Sequence, residues 1–261
     1  MSEIDRQPWL SIVTVVKDDP TGFYRTRESV LNQSLENYEW IVVDSSDLGL
    51  VVPEADLYTW SAPAGVFPAM NVGLRLCTGH RVLFLNAGDT LNLKTTLSEI
   101  EQACSMLDDS TVFFGDVSFI SEDGLESATP PPFDFQLERE RLFAAGRFPP
   151  HQGLVAPREL LDKVGGFDES YKVAGDYKTT LLLSTLVPFD YRPIVITRFT
   201  LGGVSSQSWI LSLFEFHRAR VQVFGLSGFR WIESWRAMGV QFFKMSAAGV
   251  RKTHFGKEKN P

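Results

Sequence analysis

Two cysteines and four histidines in 261 residues leave little from which to build a disulfide scaffold or a zinc cage. Cys77 and Cys104 stand far apart in apolar contexts, with no C-x-x-C spacing and no His-rich neighbourhood, which points to reduced core thiols. Long apolar runs are also lacking. The longest uncharged stretch, residues 57–74, contains Pro63, Gly65 and Pro68 and does not suit a membrane span. Met1 is followed by Ser-Glu-Ile-Asp-Arg-Gln-Pro, with no basic segment leading into an apolar run, so no secretory leader and a cytoplasmic location are expected. No P-loop, G-x-G-x-x-G, H-E-x-x-H or G-x-S-x-G occurs, which sets aside the commonest NTPase, dehydrogenase, zincin and hydrolase readings. No internal repeat is visible.

What is present is ordinary globular composition, 44% hydrophobic and 22% charged. A chain of this length can bury roughly 70–75% of its unfolded surface, enough for one large α/β domain. The net charge of −7 is unevenly spread: from residue 209 onward nine Lys and Arg face three acids, a surplus of +6, which leaves −13 for residues 1–208. An acidic body argues against nucleic-acid binding, and a basic tail suggests an anionic partner.

Residues 10–16 are a short apolar, β-branched run suited to a strand buried on both faces, broken by Lys17-Asp18-Asp19-Pro20. Residues 21–33 carry helical spacing and residues 39–43 form a second buried strand, so a βαβ unit with parallel strands is expected. Ligands bind at the carboxyl ends of such strands, which places Lys17, Asp18, Asp44 and Ser45 at a site by topology. Further on, the pattern predicts a helix over 68–77 with Pro68 at its first position, a strand over 81–85 ending in Asn86-Ala-Gly-Asp89, and a helix over 95–107. A strand over 111–114 then ends at Gly115-Asp116, a loop or hairpin covers 122–132, and short helices cover 157–164 and 176–186. Residues 209–250 read as interrupted helices in which Trp209, Phe216, Trp231, Trp235, Phe242 and Phe243 alternate with arginines. Two readings stand open for them: packing on the body, or an amphipathic pair lying on anionic lipid.

Asp44, Asp89 and Asp116 each follow an apolar strand, and Asp176 opens a later helix. Singly, each reads as a cap or turn residue. Jointly, carboxylates at one sheet edge suit a hard divalent cation that neutralises a diphosphate.

The segments SIVTVVKDDPTG, SVLNQSLENYEWIVVDSSD, GVFPAMNVGLRLCTG, VLFLNAGD, FFGDV, HQGLVAPRELLDKVGGFDESYKVAGDY and GGVSS resemble, in order and spacing, family 2 glycosyltransferases of the GT-A fold. The likeness is strongest to the bacterial branch that builds colanic acid, other exopolysaccharides and glycolipids. It covers residues 9–206. It implies an α/β architecture with a Rossmann-like, mostly parallel central sheet flanked by helices. Residues 1–208 would form the catalytic domain, 1–110 its nucleotide-sugar half and 111–208 its acceptor half, with 209–261 a helical tail.

The resemblance also implies roles. Asp44 matches the acid that reads the donor nucleobase, with Thr14 and Lys17 beside it. Asp89 matches the metal-binding acid of a D-x-D-type motif whose first acid is here Asn86. Met70, Asn71 and Gly73 match a helix bordering the donor sugar and phosphates, and Asp176 matches the general base. His151, in an H-Q motif, is a site residue or a structural histidine. Two positions depart from the family pattern, Pro68 and Lys178, where acids usually stand.

The implied activity is inverting transfer of a hexose-type sugar from a nucleotide diphosphate sugar, with Mg or Mn. The acceptor would be lipid-linked or a glycan, and the location peripheral at the inner membrane face. A non-catalytic nucleotide- or glycan-binding subunit is the alternative. A sugar nucleotidyltransferase should show a Gly-rich basic loop after the first strand, and Lys17-Asp-Asp-Pro-Thr-Gly is not one.

Overall fold

The computed structural model describes residues 7–120, 126–128, 148–200 and 209–225, with four further positions between 232 and 239. Strand β1 (Leu10–Val16) is buried along its whole length, and its pleat parity sorts it between two core layers. Val13 and Val15 join the layer under α2 (Val66–Leu76), whereas Leu10, Ile12 and Val16 join the layer under α1 (Pro20–Leu31) with Phe23 and Trp40. Helix α1 starts where Asp19 caps it: its Oδ1 accepts from Gly22 N at 2.8 Å, and Pro20 follows at the first position.

β2 (Tyr38–Asp44) and β3 (Leu57–Trp60) extend the sheet on one side of β1, and β4 (Arg81–Phe84) lies on its other side, all parallel. The chain steps outward from β1 and then returns across it, so the switch point falls between the carboxyl ends of β1 and β4. Beyond β4 the expected parallel order gives way. β8 (Leu154–Pro157) inserts antiparallel between β4 and β6 (Val112–Ile120), and β9 (Phe189–Thr200) runs parallel to β6. β5 (Thr90–Leu91) closes the far edge on β9, and β7 (Glu126–Ala128) pairs with β6. α3 (Thr96–Cys104), α4 (Arg158–Lys163), α5 (Gly175–Leu186) and α6 (Trp209–Phe224) cover the faces.

Several sequence expectations shift. Asp116 does not end a strand. β6 runs on to Ile120, and Asp116 lies at a register break where both its oxygens accept from Tyr191 Oη at 3.1 Å. Pro193 falls inside that break, between the Phe114↔Tyr191 and Asp116↔Val195 pairs, which is how a twelve-residue strand tolerates it. Pro68 is the third residue of α2 rather than its first, still within the turn whose N–H groups lack intrahelical partners. Residues 154–157 form β8, so the helix expected from 157 begins at Arg158. Of the tail, α6 packs on α5. Leu213 and Ala219 are buried, and Phe216 meets the rings of Tyr177 and Phe148 at 4.7 and 5.6 Å. Segment 202–206, Trp231, Phe242, Phe243 and most of 122–132 lie outside the described residues. Among the described residues no helix is long and apolar enough to cross a membrane.

Candidate active site

At the carboxyl end of β2, Asp44 is fully buried, and its carboxylate organises the following loop. Oδ1 accepts from Ser46 N at 2.8 Å, and Oδ2 accepts from Leu50 N at 2.7 Å and Tyr58 Oη at 2.8 Å. Burial, and then the hydrogen bond to Asp44, raises the Tyr58 phenol above its ordinary value. The loops after β1 and β2 are tied together, Asp18 N donating to Ser46 Oγ at 2.8 Å and Asp47 N to Asp18 Oδ1 at 3.1 Å. Asp18 takes a left-handed φ of 52° to do so. Trp60 is 55% exposed at the same mouth, its indole N–H donating to Ser46 O at 3.1 Å, and the buried Ser45 Oγ has no partner among the described residues. Tyr58 and Trp60 were not singled out from sequence. Their four-residue strand alternates half-buried and exposed positions and is too short to show a period.

At the carboxyl end of β4 the chain makes a tight turn over residues 86–89. Asp89 N donates to Asn86 O at 3.0 Å, and Gly88, at the third position, has φ +96°, a conformation that glycine adopts without steric cost. The buried Thr26 hydroxyl of α1 fastens this turn, accepting from Gly88 N at 3.0 Å and donating to Asp89 O at 2.6 Å. The turn therefore presents Asn86 and Asp89 at the switch point.

β8 is antiparallel to β4, so it begins at the edge where β4 ends. The 3-10 turn His151–Gly153 immediately before it thus brings His151 to the same mouth. His151 Nδ1 lies 2.8 Å from Asp176 Oδ2, and Nε2 lies 3.5 Å from Asn86 Nδ2. With its proton on Nδ1 toward the carboxylate, the ring turns a lone pair toward the Asn86 amide. Burial opposes the charged imidazolium, but the hydrogen bond and charge of Asp176, helped by Asp89, override it and raise His151 above its ordinary value. Burial pushes Asp89 up to about 7, while nearby His151 pulls the other way.

Asp89, Asn86, His151 and Asp176 thus form one constellation. Two observations fit it to a cation: Asn86 Oδ1 is buried without a hydrogen-bond partner among the described residues, and burial makes the Asp89 carboxyl resist ionisation despite nearby His151. Among the described residues no three His, Cys, Asp or Glu side chains form a cage. That donor set suits an ion which keeps water and substrate phosphate oxygens in most of its coordination sphere.

The remaining sequence-selected residues sit as follows. Lys17 is exposed beside Asp18 at the β1 mouth. Thr14 is not at the mouth: strand parity turns it into the α1-side layer, where its Oγ1 accepts from Trp40 Nε1 at 3.0 Å. Met70 is buried in the α2-side core. Asn71 ties α2 to the turn after α4, its Oδ1 accepting from Phe167 N at 2.9 Å and its Nδ2 donating to Phe167 O and Glu169 Oε1 at 2.8 and 2.9 Å. Gly73 lets α2 approach β1, since a Cβ there would lie 2.3 Å from Val13 Cγ1. Lys178 is engaged by Asp168 at 2.5 Å and lies over the Tyr171 ring, and against the opposing effect of burial Lys178 and the hydrogen bonds from Ser170 hold the Asp168 carboxyl down at about 2.

No protein-family model matches the chain. The O-antigen biosynthesis protein RfbC of Myxococcus xanthus is 29% identical over 196 residues, which is 70% of this chain and 15% of that protein. An uncharacterized glycosyltransferase of Mycobacterium tuberculosis is 27% identical over 229 residues, 84% of this chain and 81% of its own length. Among solved structures, S. aureus TarS 1–349 in complex with UDP-GlcNAc is similar with a TM-score of 0.61 and 16% identity, covering 82% of this chain and 67% of that one. The mannosyltransferase PcManGT of Pyrobaculum calidifontis, in complex with GDP-Man and Mn2+, is similar with a TM-score of 0.62 and 15% identity over 97% of this chain and 81% of that one. The fold is therefore GT-A, and the mycobacterial relatives bear the name glycosyltransferase, as the seven segments implied.

Proposed function

We propose that the protein transfers a sugar from a nucleotide diphosphate donor to a lipid-linked or glycan acceptor in cell-surface polysaccharide or glycolipid synthesis, with inversion at the anomeric carbon. The observation that carries this reading is the His151–Asp176 pair, set at the switch point beside the Asn86–Asp89 turn. Its support from outside the chain is the name glycosyltransferase on relatives of similar length. Asp176 Oδ2 is occupied by His151, which leaves Oδ1 to accept the proton of the acceptor hydroxyl. As that proton leaves, the hydroxyl oxygen bonds to the anomeric carbon and the bond to the diphosphate oxygen breaks, the electron pair departing with the diphosphate. His151 orients the carboxylate through Nδ1. Lys17, at the end of β1, and the loop that the buried Asp44 organises after β2 take the nucleoside. Asp89 and Asn86 would hold Mg or Mn, which when bound offsets the charge on the leaving diphosphate.

The basic tail supports a peripheral place on an anionic membrane, from which the acidic body would be repelled. So does the outer face of α6, where Ile210 and Phe214 are 54% and 61% exposed.

One experiment tests the assignments together. UDP, GDP and dTDP binding is measured with and without Mn, and turnover of the corresponding sugars is followed. Asp44→Ala should weaken binding in both conditions, Asp89→Ala should remove only the Mn-dependent part, and Asp176→Asn should cut turnover roughly 10²- to 10⁴-fold with donor affinity kept. Binding without turnover in the parent would instead support a nucleotide-binding subunit. Parental behaviour in all three variants would overturn the site.

A further inference from the structure

Helix α6 grips the segment just ahead of Asp176 with three polar side chains at helical spacing. Glu215, Arg218 and Gln222 stand at i, i+3 and i+7 and so share one face. Glu215 is 6% exposed, and its carboxylate accepts from three consecutive backbone N–H groups: Oε1 from Lys172 at 2.9 Å, and Oε2 from Val173 and Ala174 at 2.8 Å each. Arg218 donates to Ser170 Oγ at 2.9 Å and lies 4.5 Å over the Tyr171 ring, while Gln222 Oε1 accepts from Tyr171 Oη at 2.9 Å. Each residue from 170 to 174 is thus held by α6.

Ala174 occupies the N-cap position of α5 and has no side chain with which to cap it. The N–H of this N-cap residue and the two N–H groups before it converge instead on the Glu215 carboxylate of another helix. Its charge complements the positive end of the α5 dipole. Because the backbone at 172–174 fixes where α5 begins, it fixes where Asp176, two residues on, meets His151.

We infer that Glu215 is a positioning residue for the reaction: it sets the start of α5 and through it the attack geometry of Asp176. This rests on the reading of Asp176 as the base. Full-length Glu215→Gln keeps the side chain's size but offers one oxygen in place of two. Arg218→Ala loosens the same segment from its exposed side and leaves the core alone. Both are compared with Asp176→Asn, counting folded sites by nucleoside diphosphate binding and expressing kcat per binding site.

The nucleotide-facing loops follow β1, β2 and β4, so both variants should bind the diphosphate with parental affinity. kcat per site should fall roughly 10- to 100-fold in Glu215→Gln, and less in Arg218→Ala. If Asp176→Asn is inactive while both variants keep parental kcat per site, the positioning role is overturned and the glycosyl-transfer reading stands. If Asp176→Asn keeps parental kcat, the base assignment falls and the positioning role with it. Equal loss of affinity and kcat in both variants would mark a purely structural clamp. Should Glu215→Gln present no binding sites, Arg218→Ala decides by the same criteria.

Discussion

At the scale of single residues, Asp89 is the most informative side chain. Burial lifts its carboxyl to about 7, so between about pH 4 and 7 the folded state favours the protonated form and the unfolded state the ionised one. The stability tied to that proton is fully present below pH 4 and is lost as pH rises through 7. In chelator, Asp89→Asn should therefore melt above the parent at pH 8, with the gap closing toward pH 4, as thermal denaturation across that range would register. A gap that stays constant with pH would mean that the folded carboxyl ionises normally. Lys178 makes the complementary point. In the sequence it stands where the family has an acid and casts doubt on the site, yet its ammonium is spent on Asp168. It lies two residues from Asp176 on one helix, so the two side chains project from different faces. The partner that explains Lys178 is ten residues away and belongs to a turn, a relation that spacing along the chain does not encode.

Among elements, the strands of the parallel half were the most legible, because a strand buried on both faces writes itself as an unbroken β-branched run. Residues 10–16 did so with matching boundaries. β3, β5, β8 and β9 went unread: two are very short or half-exposed, β8 ends in a proline, and β9 carries Pro193 at a register break. The site was legible wherever a strand end located it, at Asp44 and the 86–89 turn. It was opaque where parity decided, at Thr14, and where a distant helix reached in, at Glu215.

The last helix likewise divides what the sequence treated as one tail. Residues 209–224 contribute Leu213, Glu215 and Ala219 to the interior, whereas seven of the nine basic residues from 209 onward lie beyond 225. Near an anionic surface each contributes about 1 kcal/mol, screened over roughly 8 Å at physiological salt. A chain ending at 225 should therefore keep nucleotide binding but sediment less with anionic vesicles than the full chain, and a chain ending at 208 should lose solubility or nucleotide binding. Equal sedimentation of the full chain and the 225 truncation would remove the membrane role from the basic segment.

Taken whole, the molecule is organised by one sheet that ignores the boundary near residue 110. β8 pairs with β4, and β5 leaves the first half to close the edge on β9. A fragment of residues 1–110 should accordingly show no cooperative unfolding transition and no nucleoside diphosphate binding, while residues 1–225 show both. Calorimetry and titration of the two chains in parallel would check this, and an independently folding 1–110 would make the antiparallel strands an accessory. The same topology sets a timetable for synthesis. β4 is complete at residue 84, yet the strand that covers its free side starts at residue 154, and at 5–20 residues per second a ribosome needs roughly 4–14 s to deliver it. Throughout that interval the apolar β4 segment lacks the strand that pairs with its free side and is open to pairing with a neighbouring chain. Slow codons between 85 and 153 should therefore lower the yield of soluble product more than slow codons after 157, as expression of the two recoded genes would show.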